Sequence, residues 1–386
     1  MEKTALRFVV ALAIGAFSGA ALAAADAKER ADAFMRNEMR TGKFEMLSVA
    51  YEQHGETRYT FVEGQGADQP MHVASITKTV TAVLLMQLAE EGKLCLNDYV
   101  KKYIPLFPTN NVTILNLMTH TSGWRNRFGH SKKPGEAEKF YGTMFKEFEV
   151  GEKFRYMSQG YDILAEIIEN LTGVDDVADV AKSRIFEPLG MKDTNFAPHQ
   201  GQAGMNTTAA DLVKFGRALL DIYHTRKVGI LLPESVDTLF HPVLKPEFSR
   251  TPGFFKKSGA TGFGQYFSDL NSFDALSHSG ATGCNFLIDP GRDAVEVILT
   301  GTREWNNDLF RSCDGNFSRM NAVMMACFGD HVAPVRPIAV GSAKPDQRRA
   351  KERELQALLS RRAAGEDVRE AEIDRLNREL AMINAR

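Results

Sequence analysis

The sequence predicts an α/β (α+β) fold in which an antiparallel sheet, flanked by terminal helices, is interrupted by an all-helical insertion. The spacing of the apolar residues leads to this prediction. They alternate over residues 44–63, recur at helical spacing over about 80–221, and alternate again after about Pro252. A period of two is typical of half-buried strands and a period near 3.6 is typical of helices, so the two alternating stretches are expected to form one sheet.

Helical patterns also bracket the alternating stretches, at residues 26–43 and 316–328. We therefore assign the α/β part to about 26–80 and 245–331, and the helical insertion to about 81–244. A cleft between the two parts is the expected ligand site, because small molecules often bind at such junctions.

Turn residues separate the predicted strands. His54-Gly55-Glu56 divides the first alternating stretch into a hairpin, and Asp289-Pro290-Gly291 joins the last two strands. The later strands are predicted at Gly262–Phe267, Cys284–Ile288 and Ala294–Thr300.

The clearest helix of the sequence begins at Ser75 and ends at Gly92, which suits the left-handed position that follows a helix. It is apolar or small on most faces, which indicates a buried helix. Further helices are predicted at Thr113–Leu117, Gly160–Leu171, Val177–Ile185 and Thr208–Leu220. The polar segment Arg125–Gly151 is predicted to be a long loop over the site.

Both ends of the chain fall outside this predicted domain of residues 24–331. Lys3 and Arg7 precede an apolar run that ends in Ala21-Leu22-Ala23, a pattern typical of a cleaved secretory signal. Residues 1–23 are therefore predicted to be a signal peptide. We expect a periplasmic or secreted protein with no stable membrane span after cleavage.

The other end is predicted to be a linker at 332–345 and a helical tail at 346–386. Apolar residues of the tail fall at coiled-coil spacing, at Ile373, Leu376, Leu380 and Ile383. Two readings stay open, namely self-association through these helices or packing of an amphipathic tail on its own domain.

Composition excludes some classes of function. The 386 residues carry a net charge of −2 with 25% charged side chains, which gives no indication of nucleic-acid binding. The four cysteines, Cys95, Cys284, Cys313 and Cys327, match no metal-binding spacing. Cys284 can pair with Cys313 or Cys327 in an exported protein, or the thiols can be free and buried.

Three separated motifs carry the chemistry. Ser75-Ile76-Thr77-Lys78 places a hydroxyl and an amine on one face of a helix start, with β-carbons about 5–6 Å apart. Tyr156 lies in Phe154-Arg155-Tyr156-Met157-Ser158, and His278-Ser279-Gly280 opens an apolar stretch. Together these residues supply a nucleophile, groups that can take its proton, and a strand edge that can hold an oxyanion.

In this order, and with Leu117–Gly123, Glu187–Met191 and Asn206–Leu212, the motifs resemble the serine β-lactamase and penicillin-binding-protein superfamily, specifically its class C branch. The resemblance runs from about Phe44 to about Phe328. It implies a β-lactamase/transpeptidase-like fold and a serine hydrolase that needs no cofactor and no metal.

The resemblance also implies a role for each matching residue. Ser75 would be the acylated nucleophile, and Lys78 and Tyr156 would be the groups that can accept its proton. Which of these two is the general base stays open. The backbone N–H groups of Ser75 and Ala281 would form the oxyanion hole.

Substrate contacts would come from Ser158, His278, Ser279 and Gly280, two of which depart from the β-lactamase pattern. Ser158 stands where asparagine is usual, and its shorter side chain reaches less far towards an acyl-amide. His278 stands where a lysine is usual, and histidine is mostly neutral at pH 7. Both changes weaken the recognition of an anionic acyl-amide more than they weaken acyl transfer.

The expected function is therefore hydrolysis of an ester or a D-amino-acid amide, as in an esterase or a D-alanyl-D-alanine carboxypeptidase. The expected partner is a small-molecule or peptidoglycan-derived substrate. Two alternatives stay open: a class C β-lactamase proper, and a non-catalytic protein that binds cell-wall material or a partner on the same fold. His120, among Thr119, Thr121 and Ser122, is expected to hold a turn through hydrogen bonds.

Overall fold

The structure is a computed structural model, which describes residues 25–42, 44–126, 137–241, 248–257, 266–301 and 316–330. The chain divides into two units, 1–331 and 332–386, and all the described residues belong to the first. The predicted signal peptide, linker and tail lie outside the described residues and stay predictions. None of the helices in the described part is long and apolar enough to cross a membrane.

Strands and helices are numbered in chain order. The strands are β1 (Met46–Gln53), β2 (Glu56–Glu63), β3 (Met71–His72), β4 (Trp124–Asn126), β5 (Met144–Lys146), β6 (Asn195–Phe196), β7 (Met205–Thr207), β8 (Arg250–Thr251), β9 (Phe254–Lys256), β10 (Leu276–Gly280), β11 (Cys284–Asp289) and β12 (Ala294–Gly301). The helices are α1 (25–42), α2 (Thr77–Glu90), α3 (Ile114–Met118), α4 (Ala137–Gly142), α5 (Gln159–Thr172), α6 (Val177–Ala181), α7 (Ala209–Thr225), α8 (Pro233–Phe240) and α9 (Asn316–Phe328).

The main sheet has seven strands in the order β2-β1-β12-β11-β10-β9-β8, and its neighbouring strands are antiparallel. His54 and Gly55 have φ values of 56° and 78°, which is the paired left-handed geometry of a two-residue hairpin turn. The predicted β1–β2 hairpin is therefore confirmed. The β11–β12 connection also begins at Asp289, as predicted.

Helices cover both faces of this sheet. Ala31 and Met35 of α1 share a hydrophobic cluster with Phe317, Met320 and Met324 of α9, which confirms the predicted terminal helices. On the other face α7 packs closely, because a β-carbon at Gly216 would lie 2.8 Å from the Val295 side chain of β12. The sheet is therefore buried between two layers, and the predicted mixed fold is confirmed.

The insertion is mainly helical, but it is not all-helical as predicted. It contains β6 and β7, which form a small sheet with β3, and the β4–β5 pair. The predicted loop Arg125–Gly151 contains α4 and β5, while its residues 127–136 lie outside the described part. Strands of two or three residues are too short to produce a measurable alternation, which is why the sequence pattern missed them.

The strand predicted at Gly262–Phe267 is wrong where it can be checked. Tyr266 and Phe267 belong to no strand, and residues 262–265 lie outside the described part. Both aromatic residues are buried in the cluster that contains Phe255, so their apolar character reflects core packing. Among the described cysteines, Cys95, Cys284 and Cys327 are free thiols.

Candidate active site

Ser75 lies in a single 3₁₀ turn, Ala74–Ile76, directly before α2. Ala74 has a φ of +44°, a left-handed conformation that is strained for a residue with a β-carbon. Thr77 secures the turn, because its hydroxyl donates to the Ala74 carbonyl at 2.6 Å and accepts the Met205 N–H of β7 at 3.0 Å. The half-buried Ser75 is thus held at the mouth of a buried helix.

Lys78 is fully buried one turn into α2. Its Nζ donates to Ser75 Oγ at 2.9 Å and to the backbone carbonyl of Gln202 at 2.8 Å. The Gln202 side chain donates in turn to Asp162 Oδ2 at 2.6 Å. The i+3 spacing read from the sequence therefore brings the amine and the hydroxyl into direct contact.

Tyr156 meets this pair from the segment that precedes α5. Lys78 Nζ lies 5.1 Å from the centroid of its ring, and Lys78 and Ser75 are close enough to the Tyr156 hydroxyl to influence its pKa by hydrogen bonding. Burial alone would raise the pKa of Tyr156, but the charge of Lys78, these hydrogen bonds and the charge of Arg250 outweigh burial, and the pKa is lowered. The lowered pKa makes the phenolate, which is the form that can accept a proton, more available than in a free tyrosine.

His120 fixes the backbone on both sides of Tyr156. Its carbonyl accepts the Arg155 N–H at 2.8 Å, its Nδ1 accepts the Met157 N–H at 3.2 Å, and its ring lies 4.3 Å from that of Tyr156. Within the turn, the His120 N–H donates to the Leu117 carbonyl at 3.2 Å, as the sequence led us to expect. The bonds to Arg155 and Met157 were not predicted, because these residues lie more than thirty positions away along the chain.

The end of β10 lies beside Ser75. A β-carbon at Gly280 would lie 2.2 Å from the carbonyl oxygen of Val73, so only glycine allows the strand to approach this closely. Ala281, whose N–H is the second predicted oxyanion donor, follows directly and is exposed. The strand end and the turn that holds Ser75 therefore form one wall of the site.

His278 of β10 is buried, with its ring centroid 6.3 Å from that of Tyr156. Its Nδ1 bonds to the Ser279 carbonyl at 2.9 Å, while no described residue forms a hydrogen bond with Nε2. Burial, followed by the charges of Arg250 and Lys78, holds the pKa of His278 well below its usual range. The imidazole is therefore neutral and cannot replace the charge of a lysine at this position.

Two predicted substrate contacts lie at the margin of this group. Ser158 is half-buried at the start of α5, and Ser279 is buried in β10 opposite Asn285. In the part of the chain that the structure describes, no side-chain hydrogen bond joins either hydroxyl to Ser75, Lys78 or Tyr156. Their predicted contact with substrate stays a prediction.

Three residues near the site carried no signal in the sequence. Gln202 contacts Lys78 through its backbone carbonyl, so the type of its side chain does not indicate this contact. Asp162, which bonds to the Gln202 side chain, is an ordinary polar residue within a helix and does not stand out in the sequence. Arg250 lies in a two-residue strand, and its guanidinium is buried against the rings of Phe154 and Phe255. Nothing in the spacing of these residues connects them to Ser75.

One group elsewhere has the donor set of a metal site. Single ligand atoms of Glu169, Asp176 and His199 lie within 4.8 Å of one another. His199 Nδ1 bonds to Glu169 at 3.0 Å, and Asp176 accepts the backbone N–H groups of His199 and Ala178. These bonds join the end of α5 to the start of α6, which is a sufficient structural role.

The arrangement around Ser75 can perform acyl transfer. The Ser75 hydroxyl contacts the buried Lys78 amine and lies near a phenol of lowered pKa, and the end of β10 lies beside it. A nucleophile within hydrogen-bond reach of its base is the arrangement that covalent catalysis requires.

Comparison with known proteins agrees with this chemistry. Residues 31–311 match the family described as Beta-lactamase. The D-alanyl-D-alanine-carboxypeptidase/endopeptidase AmpH of Escherichia coli (strain K12) is 30% identical over 172 residues, which are 39% of this chain and 43% of AmpH. The match thus spans less than half the length of that relative.

Two solved structures share the fold. A beta-lactamase from Mycobacterium bovis has a TM-score of 0.58 and 21% identity, and the match covers 76% of this chain and 98% of that one. EstCE1, described as a hydrolase with promiscuous acyltransferase activity, has a TM-score of 0.59 and 18% identity over 77% of this chain and 99% of its own. From the extent of the family match, this chain belongs to the Beta-lactamase family and is a serine hydrolase.

Proposed function

We propose that the protein is an exported serine hydrolase that forms an acyl-enzyme at Ser75 and hydrolyses esters or D-amino-acid amides. The hydrogen-bonded group of Ser75, Lys78 and Tyr156 carries this proposal, because a protein that only binds gains nothing from an activated nucleophile. Export rests on the signal peptide predicted at residues 1–23.

In the first half-reaction Tyr156 is the general base. Lys78 donates an N–H to Ser75 Oγ, so the hydrogen of Ser75 is free to point towards the Tyr156 oxygen. As Oγ attacks the substrate carbonyl, Tyr156 takes that proton and then delivers it to the departing alcohol or amine. The N–H groups of Ser75 and Ala281 hold the oxyanion, and one such donor lowers the barrier by roughly 3 kcal/mol.

The second half-reaction uses the same residues. Water attacks the acyl carbonyl of Ser75, Tyr156 takes the proton of that water, and the proton returns to Ser75 Oγ as the acid departs. In this scheme Lys78 acts as a hydrogen-bond donor from its Nζ to Ser75 Oγ and to the Gln202 carbonyl. We therefore assign the base, which the sequence left open, to Tyr156.

Neutral esters are the favoured substrates. His278 is neutral and stands where the resembled family usually has a lysine that binds a carboxylate, so a β-lactam would lose that contact. EstCE1 is described as a hydrolase with acyltransferase activity, which agrees with this choice. D-Alanyl peptides are the second candidate, since AmpH is named a D-alanyl-D-alanine carboxypeptidase.

Labelling with a fluorophosphonate probe tests the catalytic assignment. We expect labelling of the purified protein and no labelling of Ser75→Ala, while a wild type that is not labelled would favour a pure binding protein. A panel of a nitrophenyl ester, a D-alanyl peptide and a chromogenic cephalosporin then tests the substrate class. Much faster turnover of the cephalosporin than of the ester would contradict the proposed preference.

A further inference from the structure

Arg250 of β8 is a buried cation whose guanidinium has no hydrogen-bond partner among the described residues. Only 1% of the residue is exposed, and none of its three guanidinium nitrogens is hydrogen-bonded within that part of the chain. No ion pair involving Arg250 is found among the described residues. Arginine cannot shed its charge, and an unpaired buried charge is costly, so this arrangement calls for an explanation.

Aromatic rings surround the guanidinium. Its Cζ lies 4.0 Å from the ring centroid of Phe255 and 5.6 Å from that of Phe154, distances that allow cation–π attraction. Phe255 stacks in parallel with Tyr156, with ring centroids 6.5 Å apart. The charge is therefore held in an apolar setting one ring away from the proposed base.

The groups that face Tyr156 come from every element around it. Lys78 of α2 contributes a charge, Ser75 a hydrogen bond and Arg250 of β8 a second charge. The phenols of Tyr161 and Tyr266 also act on the guanidinium of Arg250. The two charges that lower the pKa of Tyr156 are therefore both positive, those of Lys78 and Arg250.

Two imidazoles complete these surroundings and add no charge. Burial, then the charges of Arg250 and Lys78, hold the pKa values of both His120 and His278 well below their usual range. Among the described residues, the groups that act on Arg250 with negative charge are the phenols of Tyr161, Tyr156 and Tyr266. The pKa of Tyr156 is lowered, whereas burial raises that of Tyr161.

We propose that Arg250 is a positioning residue that acts through Tyr156, keeping it in the anionic form that accepts the Ser75 proton. This proposal rests on the proposed function. Arg250 supplies, from a neighbouring strand, the second positive charge that the site loses because His278 stands where a lysine is usual. The charge need not contact substrate, which agrees with the burial of all three guanidinium nitrogens.

Two variants separate the charge from the shape of the side chain. Arg250→Met keeps a long apolar side chain and removes the charge, whereas Arg250→Lys keeps the charge. Arg226→Met, which removes an exposed arginine paired with Asp237, is the control for loss of a positive charge elsewhere. The first readout is ¹³C NMR of labelled tyrosine Cζ atoms during a pH titration, with Tyr156→Phe assigning the Tyr156 signal.

We expect Tyr156 to titrate about one pH unit or more higher in Arg250→Met than in the wild type, since a nearby positive charge favours the phenolate. The acid limb of the kcat/KM profile on a neutral nitrophenyl ester should move by the same amount, so kcat/KM falls about tenfold at pH values on that limb. Arg250→Lys should retain most of the wild-type behaviour, and Arg226→Met all of it.

Thermal unfolding provides an independent readout. A charge that is kept for catalysis destabilises the fold, so Arg250→Met should melt at a higher temperature than the wild type. If Arg250 only supported the structure, the Arg250→Met variant would have a lower melting temperature than the wild type. The titration of Tyr156 would then be unchanged.

An unchanged tyrosine titration in Arg250→Met would overturn the proposal. If the variant instead raised KM only for substrates with a carboxylate, Arg250 would be a substrate-binding residue and the proposal would likewise be wrong. The titration uses the resting protein and reports on Arg250 even without turnover. Failure of the proposed function would appear separately, as a wild type that fluorophosphonate does not label.

Discussion

Two buried polar clusters of this protein treat charge in opposite ways. The acidic cluster consists of Asn271, Ser272, Asp289 and Glu296, and the basic cluster of Lys78, Tyr156 and Arg250. Asp289 accepts hydrogen bonds from the Ser272 N–H and hydroxyl and from the Asn271 amide, and Glu296 accepts a second bond from that amide at 2.7 Å.

Burial raises the pKa of Asp289 and, together with the Asp289 charge, that of Glu296, so the acidic cluster can take up protons and lose charge. The basic cluster cannot lose its charge in this way, because Arg250 stays protonated. Its guanidinium forms no hydrogen bond within the described residues. The difference indicates that the acidic cluster is arranged for stability. In the basic cluster a stability cost persists, which is expected where charge serves catalysis.

Removal of the Tyr156 hydroxyl tests this contrast most severely. Tyr156→Phe retains the ring that packs against His120 and Phe255, but it removes the proposed base. We expect kcat/KM on a short-chain ester to fall by roughly 10³-fold, since general base catalysis contributes about 10² to 10⁴. Steady-state kinetics between pH 5 and 9 would measure this, and the acid limb of the profile should disappear.

Tyr161→Phe is the matched control, because the Tyr161 hydroxyl is also buried but donates to the Met118 carbonyl at 2.7 Å. It should cost about 1 kcal/mol of stability and leave the pH profile unchanged. If Tyr156→Phe kept its activity, Lys78 would be the base, and the catalytic purpose of the basic cluster would be lost.

The approach of β10 to Ser75 is expected to have the next largest effect. Gly280→Ala would place a β-carbon 2.2 Å from the Val73 carbonyl, so the strand end must move away from the turn. Displacing the Ala281 N–H from the oxyanion should lower kcat roughly 10²-fold or more. The comparison of kcat with the melting temperature measures this, because the loss in kcat should exceed what unfolding explains.

Gly142→Ala in α4 is the control for this change, since a β-carbon there would meet nothing within 4 Å. It should leave kcat unchanged and be neutral or slightly stabilising. A Gly280→Ala variant with wild-type kcat would show that the strand end does not hold the oxyanion.

The sequence predicted the parts of the site that lie on regular elements. Ser75 and Lys78 are one helical turn apart, so their short spacing along the helix accounts for their contact. The same holds for the β1–β2 hairpin, whose turn residues specify its geometry. These features depend on local chemistry, which a single sequence records.

The features that the sequence did not predict depend on contacts between distant segments. Arg250 comes within one ring of Tyr156 because β8 and β9 are the last strands of the sheet. The order of the strands cannot be derived from the sequence of any single strand. The hydrogen bonds of His120 to the Tyr156 segment are of the same kind. Contacts between distant segments determine these positions, and the spacing of apolar residues within one segment does not indicate such contacts.

His120 provides a weaker test of how the basic cluster is held. His120→Leu removes the acceptor of the Met157 N–H and requires a leucine at a φ of +57°, so Tyr156 should lose part of its alignment. We expect kcat to fall roughly tenfold or more, because small displacements of a catalytic group are costly. His120→Asn offers an acceptor and tolerates the left-handed conformation, so it should recover part of the loss. Equal kcat in the two variants would exclude a positioning role for this hydrogen bond.

The smallest effect is expected in the acidic cluster, and its sign depends on pH. The pKa of Glu296 is raised well above its ordinary value of 4.5, so between these two values the unfolded chain has released the proton that the folded chain retains. The stability contributed by this group is therefore present below about pH 4.5 and is lost as the pH rises towards the raised pKa.

Glu296→Gln removes this dependence while keeping an oxygen that can accept from Asn271. The variant should match the wild type near pH 4 and become more stable by roughly 1 kcal/mol or more at pH 8. Urea unfolding at both pH values measures the difference, with the exposed Glu187→Gln as the control. If the two proteins stayed equally stable at pH 8, Glu296 would be ionised in the fold as readily as in the unfolded chain. The acidic cluster would then carry charge as the basic cluster does, and the contrast between a cluster that sheds charge and one that keeps it would not hold.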